Sequence, residues 1–196
     1  KIVVRQATAG ELITLLDGQE ITLHDDTLLI TDDSGPIGMG GLMGGLSTSV
    51  TAETKDIFLE SAWFAPTAIA GRARSYGMNT DAAHRFERGV DWQGQVVAME
   101  RATELLLSIA GGDAGPVTDT VEEEFLPEVK QVILRAHRIE KLLGVAIDDS
   151  TVDGILSRLG FSFEQTTVET GSQNETHWLV SAPSHRFDIA IEVDLI

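Results

Sequence analysis

Ile57-Phe58-Leu59-Glu60-Ser61-Ala62-Trp63-Phe64-Ala65-Pro66 marks the point where the period of the chain changes. Upstream, apolar residues fall in short β-prone runs, Ile2 to Val4, Glu11 to Leu16, Glu20 to Leu23, Thr27 to Thr31 and Asp56 to Ser61, separated by turn residues. Asp17-Gly18 reads as a two-residue hairpin, because a mirror-image turn needs positive φ and this pair tolerates it. Downstream of Pro66 the spacing becomes helical. Ala68 to Tyr76 and Asp81 to Arg88 read as helices, and Asp91 reads as the cap of a longer one. That third helix carries Ala98, Ala102, Leu105, Leu106 and Ile109 on one stripe and ends at Gly111-Gly112. Strands followed by helices predict an α+β fold, a mixed or antiparallel sheet with packed helices.

Residues 119–130 hold an acidic run, Glu122 to Glu124, and little periodic apolar signal. They predict a linker between a first domain, 1–118, and a small α+β module, 131–196. Two helices are expected in the module, Arg135 to Leu143 ended by Gly144 and Ser150 to Leu159 ended by Gly160. The chain begins at Lys1-Ile2-Val3-Val4 and stops at Val193-Asp194-Leu195-Ile196, and both ends read as cuts within longer domains.

The 196 residues are 42% hydrophobic, enough to build real cores, and their formal charge of −17 opposes long-range attraction to a phosphate backbone. A free-standing nucleic-acid binder is disfavoured; a chain meeting RNA through a few placed groups is not. The absence of cysteine excludes disulfides, cysteine-ligated zinc and thiolate nucleophiles. No apolar run approaches the length of a membrane span and no signal-peptide pattern opens the chain, so the expected location is the cytoplasm.

Three clusters could carry chemistry. The glycine-rich Gly35 to Thr48 lacks a phosphate-loop lysine, since Leu46 stands at that place. It reads either as a tight turn between strands or as bare backbone lining a small-ligand pocket. Glu60 would share a strand face with Phe58, so its carboxylate either sits at the rim or receives a donor. On the helix after Asn79 and Thr80, Asp81 and His84 have the spacing of a dyad and equally of a surface ion-pair pattern.

Met43-Gly44-Gly45, Glu60-Ser61-Ala62 with Phe64 and Pro66, and Thr80-Asp81-Ala82 with Arg85-Phe86-Glu87-Arg88-Gly89-Val90-Asp91 are similar, in order and spacing, to motifs of the β-subunit editing domain of bacterial phenylalanyl-tRNA synthetases. The resemblance continues through Ser184-His185-Arg186-Phe187-Asp188-Ile189 and Glu192 to Ile196, so it covers nearly the whole chain. It implies post-transfer editing: hydrolysis of tyrosine wrongly esterified to tRNA(Phe). Glu60 would accept the phenolic hydrogen bond, Thr80 and Ala82 would line the pocket, and Gly44 with Gly41 would form its backbone wall. The ester is already activated, so an oriented water and oxyanion stabilisation suffice; the water-activating group is not identified.

The resemblance further implies magnesium at Asp188 and Asp194, a site shared with an α subunit, and ATP used by the full enzyme but not bound by this region. Implied partners are the α subunit, in a heterotetramer of two α and two β subunits, and tRNA(Phe). Gly40 departs from an expected alanine, Ala83 from serine and Trp92 from proline. A pocket histidine is expected upstream of Lys1, which implies that the isolated fragment is inactive. Two other readings compete: a non-catalytic structural and RNA-positioning module, and an unrelated small-molecule binding domain.

Overall fold

Six short strands open the chain: β1 (Val3–Gln6), β2 (Leu12–Thr14), β3 (Glu20–Thr22), β4 (Leu28–Asp32), β5 (Gly35–Met39) and β6 (Met43–Gly44). In the computed structural model, which describes residues 1–170 and 173–196, they form an antiparallel sheet ordered β1-β4-β5-β6 and a separate β2-β3 hairpin. A bridge from Leu15 to Gly45 ties hairpin to sheet. Helices α1 (Pro66–Ile69), α2 (Arg72–Ser75), α3 (Asp81–Phe86) and α4 (Gln95–Ala110) follow. Leu15, Leu23, Leu29 and Ile69, each at most 1% exposed, centre a core that also takes in Phe64, Ala73 and Ala83.

The architecture is α+β, as the change of period predicts, but several elements differ in detail. Asp56 to Ser61 forms no strand. Ile57 and Phe58 stand 44% and 77% exposed, and β-prone side chains without a neighbouring strand have no pleated surface to fit. Strands appear instead in the glycine-rich segment, where β5 and β6 pair Gly38 with Gly44. A Cβ on Gly45 would lie 2.7 Å from the Ile37 carbonyl oxygen, so only glycine permits that approach.

The Asp17-Gly18 turn is a three-residue loop with positive φ at Gly18 alone, closed by hydrogen bonds from Leu15 N–H to the Gln19 carbonyl and from Gly18 N–H to the Leu15 carbonyl. The expected helix from Ala68 to Tyr76 is two, broken where Gly71 takes φ +77°. The Asp91 carboxylate accepts the Gln93 N–H at 3.0 Å, and α4 begins four residues later, at Gln95. No residue of α4 is buried. Of the expected stripe only Leu106 is partly covered; Met99, Thr103 and Leu107, which lie beside it, are covered too, while Leu105 and Ile109 are exposed.

The described residues divide into two units, 1–90 with 95–119, and 91–94 with 120–196. In the second, β7 (Gln131–Arg135), β8 (Ser162–Thr170) and β9 (Gln173–Ser181) form an antiparallel sheet ordered β7-β9-β8. Helices α5 (Ala136–Leu143) and α6 (Asp149–Arg158) pack on it. Gly144 ends α5 at φ +74°, and Asp148 caps α6 by accepting the Thr151 N–H at 2.9 Å. Trp178 is fully buried and donates through Nε1 to Asp153 at 2.6 Å. Arg135 and Glu192, 57 residues apart, close the unit with paired guanidinium-carboxylate bonds at 2.9 and 2.5 Å. No helix among the described residues is long and apolar enough to cross a membrane.

Candidate functional site

Thr80 joins the glycine turn to the helices. It stands in extended conformation as the cap of α3, where its Oγ1 accepts the Ala83 N–H at 3.0 Å and donates to the Leu42 carbonyl at 2.8 Å. Leu42 belongs to the turn between β5 and β6, so one hydroxyl fixes the start of α3 against that turn. Beside it, Gly41 takes φ +68°; a Cβ there would come within 3.2 Å of Ile69 and Phe86 and 3.3 Å of Phe64. The Phe64 and Phe86 rings lie 5.3 Å apart at 55°. Gly41 and Thr80 thus meet at one place, with Ala82 half-buried two residues into the same helix.

Gly44 lies on a different part of the turn. It is exposed, and a Cβ on it would face Leu16 at 3.2 Å. Glu60 sits outside regular structure, at a solvent-exposed position two residues before Ala62 packs onto the core. Enough protein nonetheless surrounds its carboxyl that desolvation raises its pKa above the ordinary carboxylate value. Among the described residues no hydrogen bond or ion pair joins Glu60 to Gly44, Thr80, Ala82 or any other group. Next to it, Ser61 Oγ donates to the Gln95 carbonyl at 2.9 Å.

His84 does not pair with Asp81. Its Nδ1 meets Arg88 Nη1 at 3.0 Å, and Arg88 also donates to the His84 carbonyl and to Glu87 at 2.7 Å. The i, i+4 relation places Arg88 over His84, whereas the three-residue spacing to Asp81 leaves that carboxylate in the first turn. A hollow of about 290 Å³ opens beside α2 and α3, lined by Ala73, Arg74, Met78, Asn79, Ala83, His84 and Glu87. Sequence reading passed over Arg74 and took Asn79 only as a residue ahead of the helix. The crowding of arginines from 72 to 88 is the signal that points to Arg74.

In the second unit, residues 182–191 form no strand or helix. A 3₁₀ turn, Glu192–Leu195, follows irregular chain. Asp188 is gripped by Arg186 through two bonds of 2.8 Å, and Asp194 accepts the N–H groups of Ala190 and Ile191 at 2.9 Å each. These bonds hold both carboxyl groups below their ordinary pKa, the guanidinium bonds acting on Asp188 and the backbone amides on Asp194. Among the described residues no group of three or more His, Cys, Asp or Glu is arranged to hold a metal ion.

Residues 1–111, more than half the chain, match the B3/4 domain family. The chain belongs to that family. Further along, residues 132–196 match a second family, the tRNA synthetase B5 domain. The likeness extends over the whole length. The phenylalanine–tRNA ligase β subunit of Pseudomonas fluorescens is 54% identical over 193 residues, 98% of this chain and 24% of that subunit. That of Hahella chejuensis is 53% identical over 195 residues, 100% of the chain and 24% of the subunit. That of Idiomarina loihiensis is 53% identical over 193 residues, 98% and 23%. The chain therefore spans about a quarter of the length of these relatives.

Proposed function

We propose that this chain is the editing portion of a phenylalanine–tRNA ligase β subunit, and that its B3/4 unit, residues 1–118, hydrolyses tyrosine misattached to tRNA(Phe). The observation that carries the reading is Glu60, a carboxylate with no hydrogen-bond or ion-pair partner among the described residues, two residues ahead of Ala62, which packs on the core. An apolar synthetic pocket rejects an added hydroxyl weakly, so fidelity requires a second site that recognises the hydroxyl itself. A tyrosyl phenol would satisfy Glu60. The bare ring of phenylalanine offers it no donor, and covering the carboxylate without one would cost about 1–3 kcal/mol.

Thr80, Ala82, Gly41 and Gly44 would shape the cavity, the Thr80 hydroxyl by holding the Leu42 carbonyl in place. The ester needs an oriented water and a stabilised oxyanion more than a strong nucleophile, which agrees with a chain free of cysteine. The B5 unit would serve assembly with an α subunit, in a heterotetramer of two α and two β subunits, and contact with tRNA. ATP and magnesium would serve the complete ligase. As they stand, Asp188 and Asp194 are engaged by Arg186 and by backbone amides and do not fit a magnesium ion, so they take no part in this reading.

The test is deacylation of tyrosyl-tRNA(Phe) by the assembled α and β subunits carrying Glu60→Ala. Lost preference for tyrosyl over phenylalanyl ester supports the assignment. Unchanged discrimination overturns it and leaves the B3/4 unit as a structural module.

A further inference from the structure

From 54 to 65 the chain forms neither helix nor strand. Among the described residues, its stretch from Lys55 to Phe64 exchanges no hydrogen bond with other backbone, and a single side-chain bond is made there, from Ser61 Oγ to the Gln95 carbonyl at 2.9 Å. The two residues stand 34 apart in sequence. Gln95 is the first residue of α4. A backbone carbonyl has two lone pairs, so this one can take the serine hydroxyl as well as the helical N–H four residues on, and the hydroxyl meets an acceptor held in place by a helix.

Apolar contacts hold only the far side of this stretch. Ala62 packs against the core and Phe64 is buried in it, whereas Ile57 and Phe58 are exposed. Glu60 lies between the two regimes, with half-buried Ser61 beside it. A backbone outside helix and sheet keeps conformational freedom that binding would have to remove, at a cost in affinity. The bond from Ser61 removes that freedom one residue from the carboxylate. Placement matters there, because a hydrogen bond between a carboxylate and a phenol forms only over about 2.5–3.0 Å.

We infer that Ser61 is a positioning residue for specificity: by tying the chain to the first residue of α4, it sets the Glu60 carboxylate where the phenol of a misattached tyrosine meets it. The inference rests on the editing reading, since it takes Glu60 as the group that tells tyrosine from phenylalanine. Ser61 itself acts through its neighbour. Its hydroxyl hydrogen is committed to Gln95, so it is not assigned to the ester.

The experiment uses the assembled α and β subunits carrying Ser61→Ala, Ser61→Thr, Glu60→Ala, or Ser61→Ala together with Glu60→Ala. For each, kcat and KM are measured for deacylation of tyrosyl- and phenylalanyl-tRNA(Phe). The expected result is a preference for the tyrosyl ester lowered about tenfold in Ser61→Ala, short of the ~100-fold that a displacement of about 1 Å can cost, and largely recovered in Ser61→Thr, which keeps the hydroxyl. In the Glu60→Ala background the change at Ser61 should lower the preference no further, because both act through one contact. An unchanged preference in Ser61→Ala, where Glu60→Ala loses it, overturns the inference and leaves the editing reading standing. So does an equal loss in both backgrounds, or a Ser61→Thr variant no better than the alanine one, either of which makes Ser61 structural only. A preference that survives Glu60→Ala overturns the editing reading and this inference with it.

Discussion

Thr80 Oγ1 donates to the Leu42 carbonyl at 2.8 Å while accepting the Ala83 N–H at 3.0 Å, so a single hydroxyl serves both the glycine turn and the start of α3. Thr80→Val keeps the shape and removes both bonds. The lost cap costs about 1 kcal/mol, and the carbonyl left unpaired adds about 1–3 kcal/mol. Thr80→Ser should restore most of the loss. Hydrogen exchange at the Ala83 amide reads the result directly: protection should fall in the valine variant and return in the serine one.

Tyr76 fixes α2 to the loop after β3. Its hydroxyl bonds the Oγ1 of fully buried Thr27 and accepts the His24 N–H at 2.8 Å, and its ring stacks on His24 at 4.6 Å. Tyr76→Phe retains the stack but strands two polar groups, a loss of about 1–3 kcal/mol. Thermal unfolding followed by circular dichroism should show a lowered midpoint. An unchanged one would mean that water replaces the phenol.

Two glycine substitutions should separate steric from conformational cost. Gly45→Ala drives a methyl to 2.7 Å from the Ile37 carbonyl, a backbone clash that parts β5 from β6. At Gly18 the φ of +84° is strained for alanine but nothing lies within 4 Å, so Gly18→Ala costs only about 1–2 kcal/mol. Urea denaturation should rank Gly45→Ala well below Gly18→Ala in stability.

Glu175 makes the B5 unit sensitive to acid. Desolvation pushes its pKa up, but the His137 side chain and N–H together with His177 outweigh it and bring the value down to about 2. A depressed carboxyl stabilises the fold above its ordinary value of 4.5, and that contribution disappears as pH falls towards 2. Glu192, lowered by its bonds to Arg135, adds in the same sense. The near-ultraviolet signal of buried Trp178 should therefore fade over that window, and Glu175→Gln should flatten the pH dependence.

Glu60 has the opposite sign. Its raised pKa means that ionisation is opposed in the folded state, so its contribution favours folding at low pH and is lost as pH rises through the folded value. At pH 7 Glu60→Gln should match or slightly exceed the parent in Tm, with the difference vanishing in acid. A lower Tm would mean that the carboxylate has a structural partner.

Much of this fold was legible because local chemistry agrees with tertiary demand. Gly111, Gly144 and Gly160 end or follow helices where the spacing predicts, and the strands of β1 to β4 follow their apolar runs. Where reading failed, a distant partner decided. Ile57 and Phe58 have strand chemistry but no strand beside them, while the glycines of β5 and β6 have little strand chemistry and are held by neighbours. Along α4 the apolar residues occupy so much of the circumference that period alone does not tell which arc is covered. The proposed site was visible as motifs, but the bond from Thr80 to Leu42 spans 38 residues and no local pattern announces it.

The middle strand of the B5 sheet is also the last of the three to be made. β9 pairs with both β7 and β8, which do not pair with each other. During synthesis on the ribosome, β8 can fold back on β9 as β9 emerges, but β7 must wait as an unmatched edge until residues up to Ser181 have emerged. Such late, non-local closure is slow, and a nascent chain halted before that point would expose sticky strands to its neighbours.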